Sequence, residues 1–136
     1  GTVDQWEQEG IVENWGFSTD MPETLRRADV VCMPSYREGT PRSLIEALAT
    51  GLPIVTTDAV GCRDMVEDGG NGYLAPVGDS TAVADALGKL LRDPALRTRM
   101  GQRSRVLAEQ NYPVDKFVTD TFAVYRDALE SGDGGQ

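Results

Sequence analysis

Short apolar runs in the first half of the chain constrain its fold more than any other feature. The run from Asp29 to Met33 (DVVCM) has one polar residue, and Pro53–Thr57 (PIVTT) is a second such run. Nearly continuous apolar runs of this length are typical of parallel strands that are covered on both faces. A third strand is expected at Tyr73–Ala75, after a glycine-rich turn, and a short β-like stretch at Ile11–Trp15.

Helical signals separate and follow these strands. Asp20 is expected to cap a helix, and a second helix is expected to run from Pro41 to about Thr50, with Gly51 as its C-terminal stop. One or two helical turns are expected within residues 61–66. From residue 80 onward the apolar period is helical, and it predicts three helices, which start near Ser80, Asp93 and Pro113.

Alternation of strands and helices predicts the α/β class, as a partial Rossmann-like parallel sheet flanked by helices. We expect one domain over residues 1–130 and a disordered tail at 131–136, which is short, polar and rich in glycine. Three or four parallel strands would leave an edge exposed. We therefore expect further strands before residue 1 in a longer protein, or a partner that covers the sheet, with self-association through the edge as one possibility.

Composition excludes several classes of function. The 136 residues carry a net charge of −9 and include no His, which argues against a nucleic-acid partner and removes the commonest general base and metal ligand. Cys32 and Cys62 are too far apart for a metal motif, so we expect two reduced and buried thiols. The sequence shows no transmembrane run and no secretory signal, and we expect a cytoplasmic protein, with peripheral attachment to the inner membrane as a further possibility.

The start of the second helix is the strongest candidate for an anion site. A loop after the carboxyl end of a strand is where open α/β sheets bind ligands. Here the loop is followed by a helix whose first free amides are expected at Arg42, Ser43 and Leu44. Such N–H groups favour phosphate, and Arg37 and Arg42 would add positive charge at the same place.

Two carboxylates flank this helix start. Glu38 lies in the loop and Glu46 about one turn into the helix, so both can face one crevice, while Gly39 lets a ligand approach the backbone closely. Carboxylates beside an anion site suit the hydroxyl groups of a sugar and a ribose. The alternative is a surface charge at Glu38 and an ion pair between Glu46 and Arg42 at i, i+4. The spacing by itself leaves both interpretations open.

Glu38 and Glu46 match the E-x7-E motif, and with it the chain resembles the family-four retaining glycosyltransferases of the GT-B fold. Similar segments extend over residues 10–130, and they include the strand at 28–35, the helix and strand at 45–55, and the landmarks GCRD and NGYL. The variant EGTPRS is most similar to bacterial enzymes that build O-antigen, capsule or lipid-linked oligosaccharides. By this resemblance the chain is part of the C-terminal half of such a fold.

The resemblance also implies roles for individual residues. Glu38 would be the catalytic-site carboxylate that contacts the donor sugar, with Gly39 and Thr40 beside it, and Glu46 would hold the ribose hydroxyls. Amides near Ser43 and Leu44 would face the diphosphate. No metal and no cofactor are implied, and the nucleotide-sugar donor, by resemblance a UDP-sugar, is a substrate.

Other parts of such an enzyme are absent from this sequence. The family's acceptor-binding N-terminal domain and its basic diphosphate clamp would precede residue 1, so the glycan or polyprenyl-linked acceptor would be bound elsewhere and the isolated chain would be inactive. A non-catalytic nucleotide- or sugar-binding module is the main alternative, and a sugar-nucleotide epimerase is a weaker one. Arg63, after the second strand, either lines the same crevice or caps a short helix at the surface.

Overall fold

The computed structural model describes residues 2–13, 20–34 and 42–112. The described strands are β1 (Val31–Met33), β2 (Ile54–Thr57) and β3 (Gly72–Ala75). The described helices are α1 (Thr2–Gln8), α2 (Met21–Arg26), α3 (Arg42–Thr50), α4 (Ser80–Arg92) and α5 (Pro94–Asn111), and a 3₁₀ turn spans Arg63–Met65. No described helix is both long enough and apolar enough to cross a bilayer.

The three strands form one parallel sheet in the order β1-β2-β3. Val31 is paired with Ile54, and Ile54 is in turn paired with Gly72 on the other side. The chain returns to the same end of the sheet before each new strand begins. The carboxyl ends of all three strands therefore lie together, and we call this end of the sheet the carboxyl edge. The α/β class and the parallel sheet predicted from the apolar runs are confirmed.

The middle strand divides the core into two layers. Ile54 packs in a buried cluster with Leu44 and Leu48 of α3, whereas its neighbour Val55 packs with Leu90 of α4 and Met100 of α5. Successive residues of a strand point to opposite faces. Helix α3 therefore covers one face of the sheet and α4 the other, as the fully buried sequence IVTT predicts.

Helix boundaries follow the predicted caps. The carboxylates of Asp20, Asp79 and Asp93 each accept a hydrogen bond from the amide three residues on, at 2.9–3.1 Å. Gly51 follows α3 with φ of +80°, a conformation that glycine adopts without strain. The predicted helix after Pro113 and the predicted tail at 131–136 lie outside the described residues.

Two predictions about the early chain are wrong in the described region. Residues 11–13 form no strand, because the amides of Ile11 and Val12 donate to the Trp6 carbonyl of α1; the rest of that stretch lies outside the described residues. The apolar run at Asp29–Met33 forms β1 as predicted, over three residues, but the predicted burial of Cys32 is wrong: Cys32 is exposed, because β1 lies at the edge of the described sheet. Cys62 is fully buried as predicted, and both thiols are free.

The opposite end of the sheet, where its strands begin, is closely packed, and we call it the amino edge. Asn71 is fully buried; its side chain accepts a hydrogen bond from the Glu67 amide at 2.7 Å and donates to the Met65 carbonyl at 3.1 Å and to Ser104 Oγ at 3.3 Å. Ser104 in turn donates to the Leu52 carbonyl at 2.7 Å. These bonds connect the turn before β3 to α5 and to the segment before β2.

Candidate functional site

The start of α3 lies beside the carboxyl ends of β1 and β2. Ser43 Oγ donates to the sulfur of Met33, the last residue of β1, at 3.5 Å. Thr56 Oγ1, near the end of β2, donates to the Met33 carbonyl at 2.8 Å. The first turn of the helix and the ends of both strands are thus held together, at the edge where parallel sheets bind ligands.

The core fixes the orientation of α3. Leu44 and Leu48 are buried against the sheet, while Arg42 in the first turn is exposed and Ser43 is half-buried. The first N–H groups of an α-helix have no intrahelical partner and carry the positive end of the helix dipole. Arg42, Ser43 and Leu44, predicted as anion-binding positions, therefore form the start of a nine-residue helix at the expected edge.

Glu46 lies one turn further along α3 and is half-buried. Burial raises the pKa of its carboxyl group, and the nearby charge of Arg42 lowers that pKa by a smaller amount. The charge of Arg42 therefore acts on Glu46, as the ion-pair alternative requires. The half-buried position of Glu46 is compatible with both interpretations, and its binding role stays a prediction.

Arg63 lies in the 3₁₀ turn after β2, and this turn packs against α3. Its Nε is 3.1 Å from Asp58 Oδ1, and its Nη2 donates to the Asp58 carbonyl oxygen at 3.2 Å. Both side chains are more than half exposed. Arg63 thus lies at the same edge as the α3 start, as one of the two interpretations of the sequence requires. Asp58 was not predicted, because only the folded loop shows which acidic residue meets Arg63.

A cavity of about 230 Å³ opens at the same edge, on the face covered by α4. It extends from the end of β1 across the end of β2 to the first turn of α4, and its walls are Pro34, Thr57, Gly78, Asp79, Ser80 and Val83. No local sequence pattern predicts this cavity, since its described lining residues come from three separate segments. The carboxyl edge therefore has a concave surface on the face of the sheet opposite α3.

Four of the predicted site residues lie outside the described residues: Arg37, Glu38, Gly39 and Thr40. Their contacts with a ligand stay predictions. Within the described part of the chain, no three His, Cys, Asp or Glu residues are grouped as a metal site would require. The expectation that neither a metal nor a cofactor is needed also stays a prediction.

Comparison with known proteins identifies the family. The model of the glycosyl transferases group 1 matches residues 4–107, and the chain belongs to this family. It is 32% identical over 121 residues to N-acetyl-alpha-D-glucosaminyl L-malate synthase of Bacillus anthracis. The aligned region covers 89% of this chain and 32% of that protein. The resemblance stated from the sequence is confirmed at the level of the family.

Solved structures show the same architecture. The crystal structure of Anabaena HepE in complex with UDP superposes with a TM-score of 0.76 at 25% identity, over 90% of this chain and 36% of that one. The C-terminal domain of the group 1 glycosyltransferase LpcC from Francisella tularensis superposes with a TM-score of 0.70 at 26% identity, over 82% of this chain and 60% of that domain. The chain thus spans about a third of the length of the full-length relatives cited.

Proposed function

We propose that this chain is the donor-binding part of a retaining glycosyltransferase that transfers a sugar from a UDP-sugar to a glycan or polyprenyl-linked acceptor. One observation carries the proposal. The start of α3, the half-buried Glu46 and the anchored Arg63 come together at the carboxyl edge of a parallel sheet. Structures similar to this one were solved with UDP and with UDP-glucose, which supports a nucleotide-sugar as the ligand.

The parts of the ligand are assigned to different groups. Amides at the start of α3 bind the diphosphate, because the positive end of a helix favours anions. Glu46 accepts hydrogen bonds from the ribose hydroxyls. Glu38, with Gly39 and Thr40 beside it, contacts the sugar near the reacting carbon, as the motif match implies. The positive charge of Arg37 and Arg42 stabilises the negative charge that develops on the leaving nucleotide, so no metal is needed for this.

The groups that bind the acceptor, and further groups that bind the donor, lie in parts of the relatives that this chain does not match. Since it spans about a third of their length, we propose that residues 1–130 form part of a donor domain. The isolated chain then binds nucleotide weakly and transfers no sugar. Turnover of a UDP-sugar by the purified 136-residue chain would contradict this part of the proposal.

Isothermal titration calorimetry with UDP and uridine tests the binding role. The unaltered chain should bind UDP, and Glu46→Gln should weaken binding about tenfold through loss of hydrogen bonds to a charged group. Glu109→Gln is the matched control: it removes the same charge from α5, where Glu109 pairs with Arg105, and should leave UDP affinity unchanged. Equal losses in both variants would show a general effect of charge and contradict the assignment of Glu46.

UDP-glucose separates the roles of the two carboxylates. Glu38→Gln should reduce the preference for UDP-glucose over UDP and leave UDP affinity as it is. Glu46→Gln should weaken both ligands equally, because both contain the ribose. Equal effects of both substitutions on both ligands would contradict the division of roles.

A further inference from the structure

The Asp58–Arg63 pair is fixed from both ends more firmly than an ordinary surface ion pair. The amide of Asp58 donates to the Ala75 carbonyl at 2.8 Å, which continues the pairing of β2 with β3 by one residue. At the other end, the amides of Cys62 and Arg63 both donate to the Ala59 carbonyl, and Cys62 is fully buried. The backbone of both partners is therefore held in place.

The two contacts between the partners also fix the plane of the guanidinium group. The carboxylate of Asp58 forms an ion pair with Arg63 Nε, and the backbone carbonyl oxygen of Asp58 accepts a hydrogen bond from Arg63 Nη2. A guanidinium group has five N–H donors in a rigid plane, and these contacts engage its Nε and one of its Nη2 donors. Within the described part of the chain, the Arg63 side chain makes no other hydrogen bond or ion pair, so both Nη1 donors and the second Nη2 donor remain for another acceptor.

We infer that Asp58 is a positioning residue: it holds Arg63 so that the remaining guanidinium donors bind the diphosphate of the nucleotide. The inference rests on the proposed function and adds a residue to it. Asp58 directly follows β2, so the guanidinium group that it holds lies at the carboxyl edge, where α3 also starts. An arginine already held in the bound geometry loses less conformational entropy when phosphate binds.

The sign of the effect distinguishes this role from a simple charge. Asp58 brings a negative charge to a site for an anion, so on electrostatic grounds alone its removal should strengthen UDP binding. If Asp58 positions Arg63, its removal should weaken UDP binding instead. Uridine has no phosphates, so its affinity should not change in either case.

Calorimetry on the complete 136-residue chain tests the inference, with UDP and uridine as probes. Asp58→Asn should weaken UDP binding about three- to fivefold, within the range that exposed, well-oriented pairs contribute. Asp58→Glu, which keeps the charge, should retain more affinity than Asp58→Asn. In an Arg63→Ala background, Asp58→Asn should no longer weaken binding, because the group it positions is gone.

Each outcome decides one point. Unchanged or tighter UDP binding in Asp58→Asn overturns the positioning role and leaves the proposed function standing. Absence of UDP and UDP-glucose binding by the unaltered chain overturns the proposed function and this inference with it. If Asp58→Asn does not fold, Arg63→Lys takes its place: it keeps the charge but loses the planar group, and undiminished UDP affinity would then overturn the inference.

Discussion

The two edges of the sheet use polar residues in opposite ways. At the amino edge Asn71 and Ser104 are fully buried and bonded to each other and to backbone groups. At the carboxyl edge Arg63 is half exposed and has N–H donors that no described residue accepts from, and Glu46 on α3 is half-buried. The comparison indicates that stability is concentrated at one edge, while the other leaves polar groups available for a ligand.

Glycines show the same contrast. At the amino edge a Cβ on Gly72 would overlap the Ile54 carbonyl, and one on Gly101 would overlap the Gly51 carbonyl. Backbones meet there at distances that only glycine permits. Positive φ occurs near both edges, at Gly51 and Gly69 near the amino edge and at Gly78 near the carboxyl edge, so the close backbone contacts are the feature that we assign to the amino edge. Substitutions at the amino edge should therefore cost stability, and substitutions at the carboxyl edge should cost binding.

The largest effect is expected for Gly72→Ala. The new Cβ would meet a backbone carbonyl of β2, so β2 and β3 must separate, and we expect a loss of more than about 4 kcal/mol in the free energy of unfolding. Gly88→Ala in α4 is the control, because its nearest neighbour is the flexible end of Arg92, and it should stabilise the chain by about 0.5–1 kcal/mol. Urea denaturation followed by circular dichroism measures both, and an unchanged midpoint for Gly72→Ala would contradict the packing described.

A smaller loss is expected for Asn71→Ala. The Glu67 amide, the Met65 carbonyl and Ser104 Oγ would each lose a buried partner, at a total cost of about 2–4 kcal/mol. Ser104→Ala should cost about half as much, since it leaves two of the Asn71 bonds intact. Amide hydrogen exchange at Glu67 should become faster in Asn71→Ala only. Similar losses in both variants would contradict the central place of Asn71.

Arg103→Ala tests whether exposed contacts matter at the amino edge. Arg103 Nε donates to the Glu67 carboxylate at 3.0 Å, and both side chains are nearly half exposed. Exposed ion pairs contribute about 0.2–1 kcal/mol and are screened by salt. We expect a loss within that range that shrinks at high salt in thermal denaturation. A loss as large as that of Asn71→Ala would contradict the expectation that buried contacts at the amino edge contribute more to stability than exposed ones.

The smallest effect on stability, and one of opposite sign, is expected for Glu46→Gln. Burial raises the pKa of Glu46 in the folded state, so the folded chain holds this proton more tightly than the unfolded chain does. The stabilisation that the protonated Glu46 gives the folded chain is complete below the pKa that this group has in the unfolded chain. It is lost as pH rises through the pKa of the group in the folded chain. At pH 7 the variant should therefore be more stable by at most about 0.5 kcal/mol, and below about pH 4 this gain should vanish. Denaturation at both pH values tests this, and a clear loss at pH 7 would assign Glu46 to the stability of the fold.

Local signals in the sequence predicted most of the described fold. Aspartates at helix starts, Gly51 at a helix end and the apolar run of β2 act within a few residues, and the structure confirms each of them. The exposure of Cys32 was missed, because an apolar run does not show whether its strand lies at an edge. Helix α1 was missed because its sequence, TVDQWEQ, has no repeating apolar stripe.

The candidate site was predictable where one helix carries it. Arg42, Ser43 and Glu46 follow from a strand end, a helix start and a fixed spacing. Asp58 and the walls of the cavity were not predictable, because they depend on contacts between segments that are distant in sequence. The same holds for Asn71 and Ser104, which are 33 residues apart.

The contact between Gly51 and Gly101 also bears on how distant substitutions can change affinity. It fixes the carboxyl end of α3 against α5, and the nine residues of the helix span about 13 Å. A substitution that displaces α5 at Gly101 is therefore expected to displace α3 with it, including the first turn, at which we propose that phosphate binds.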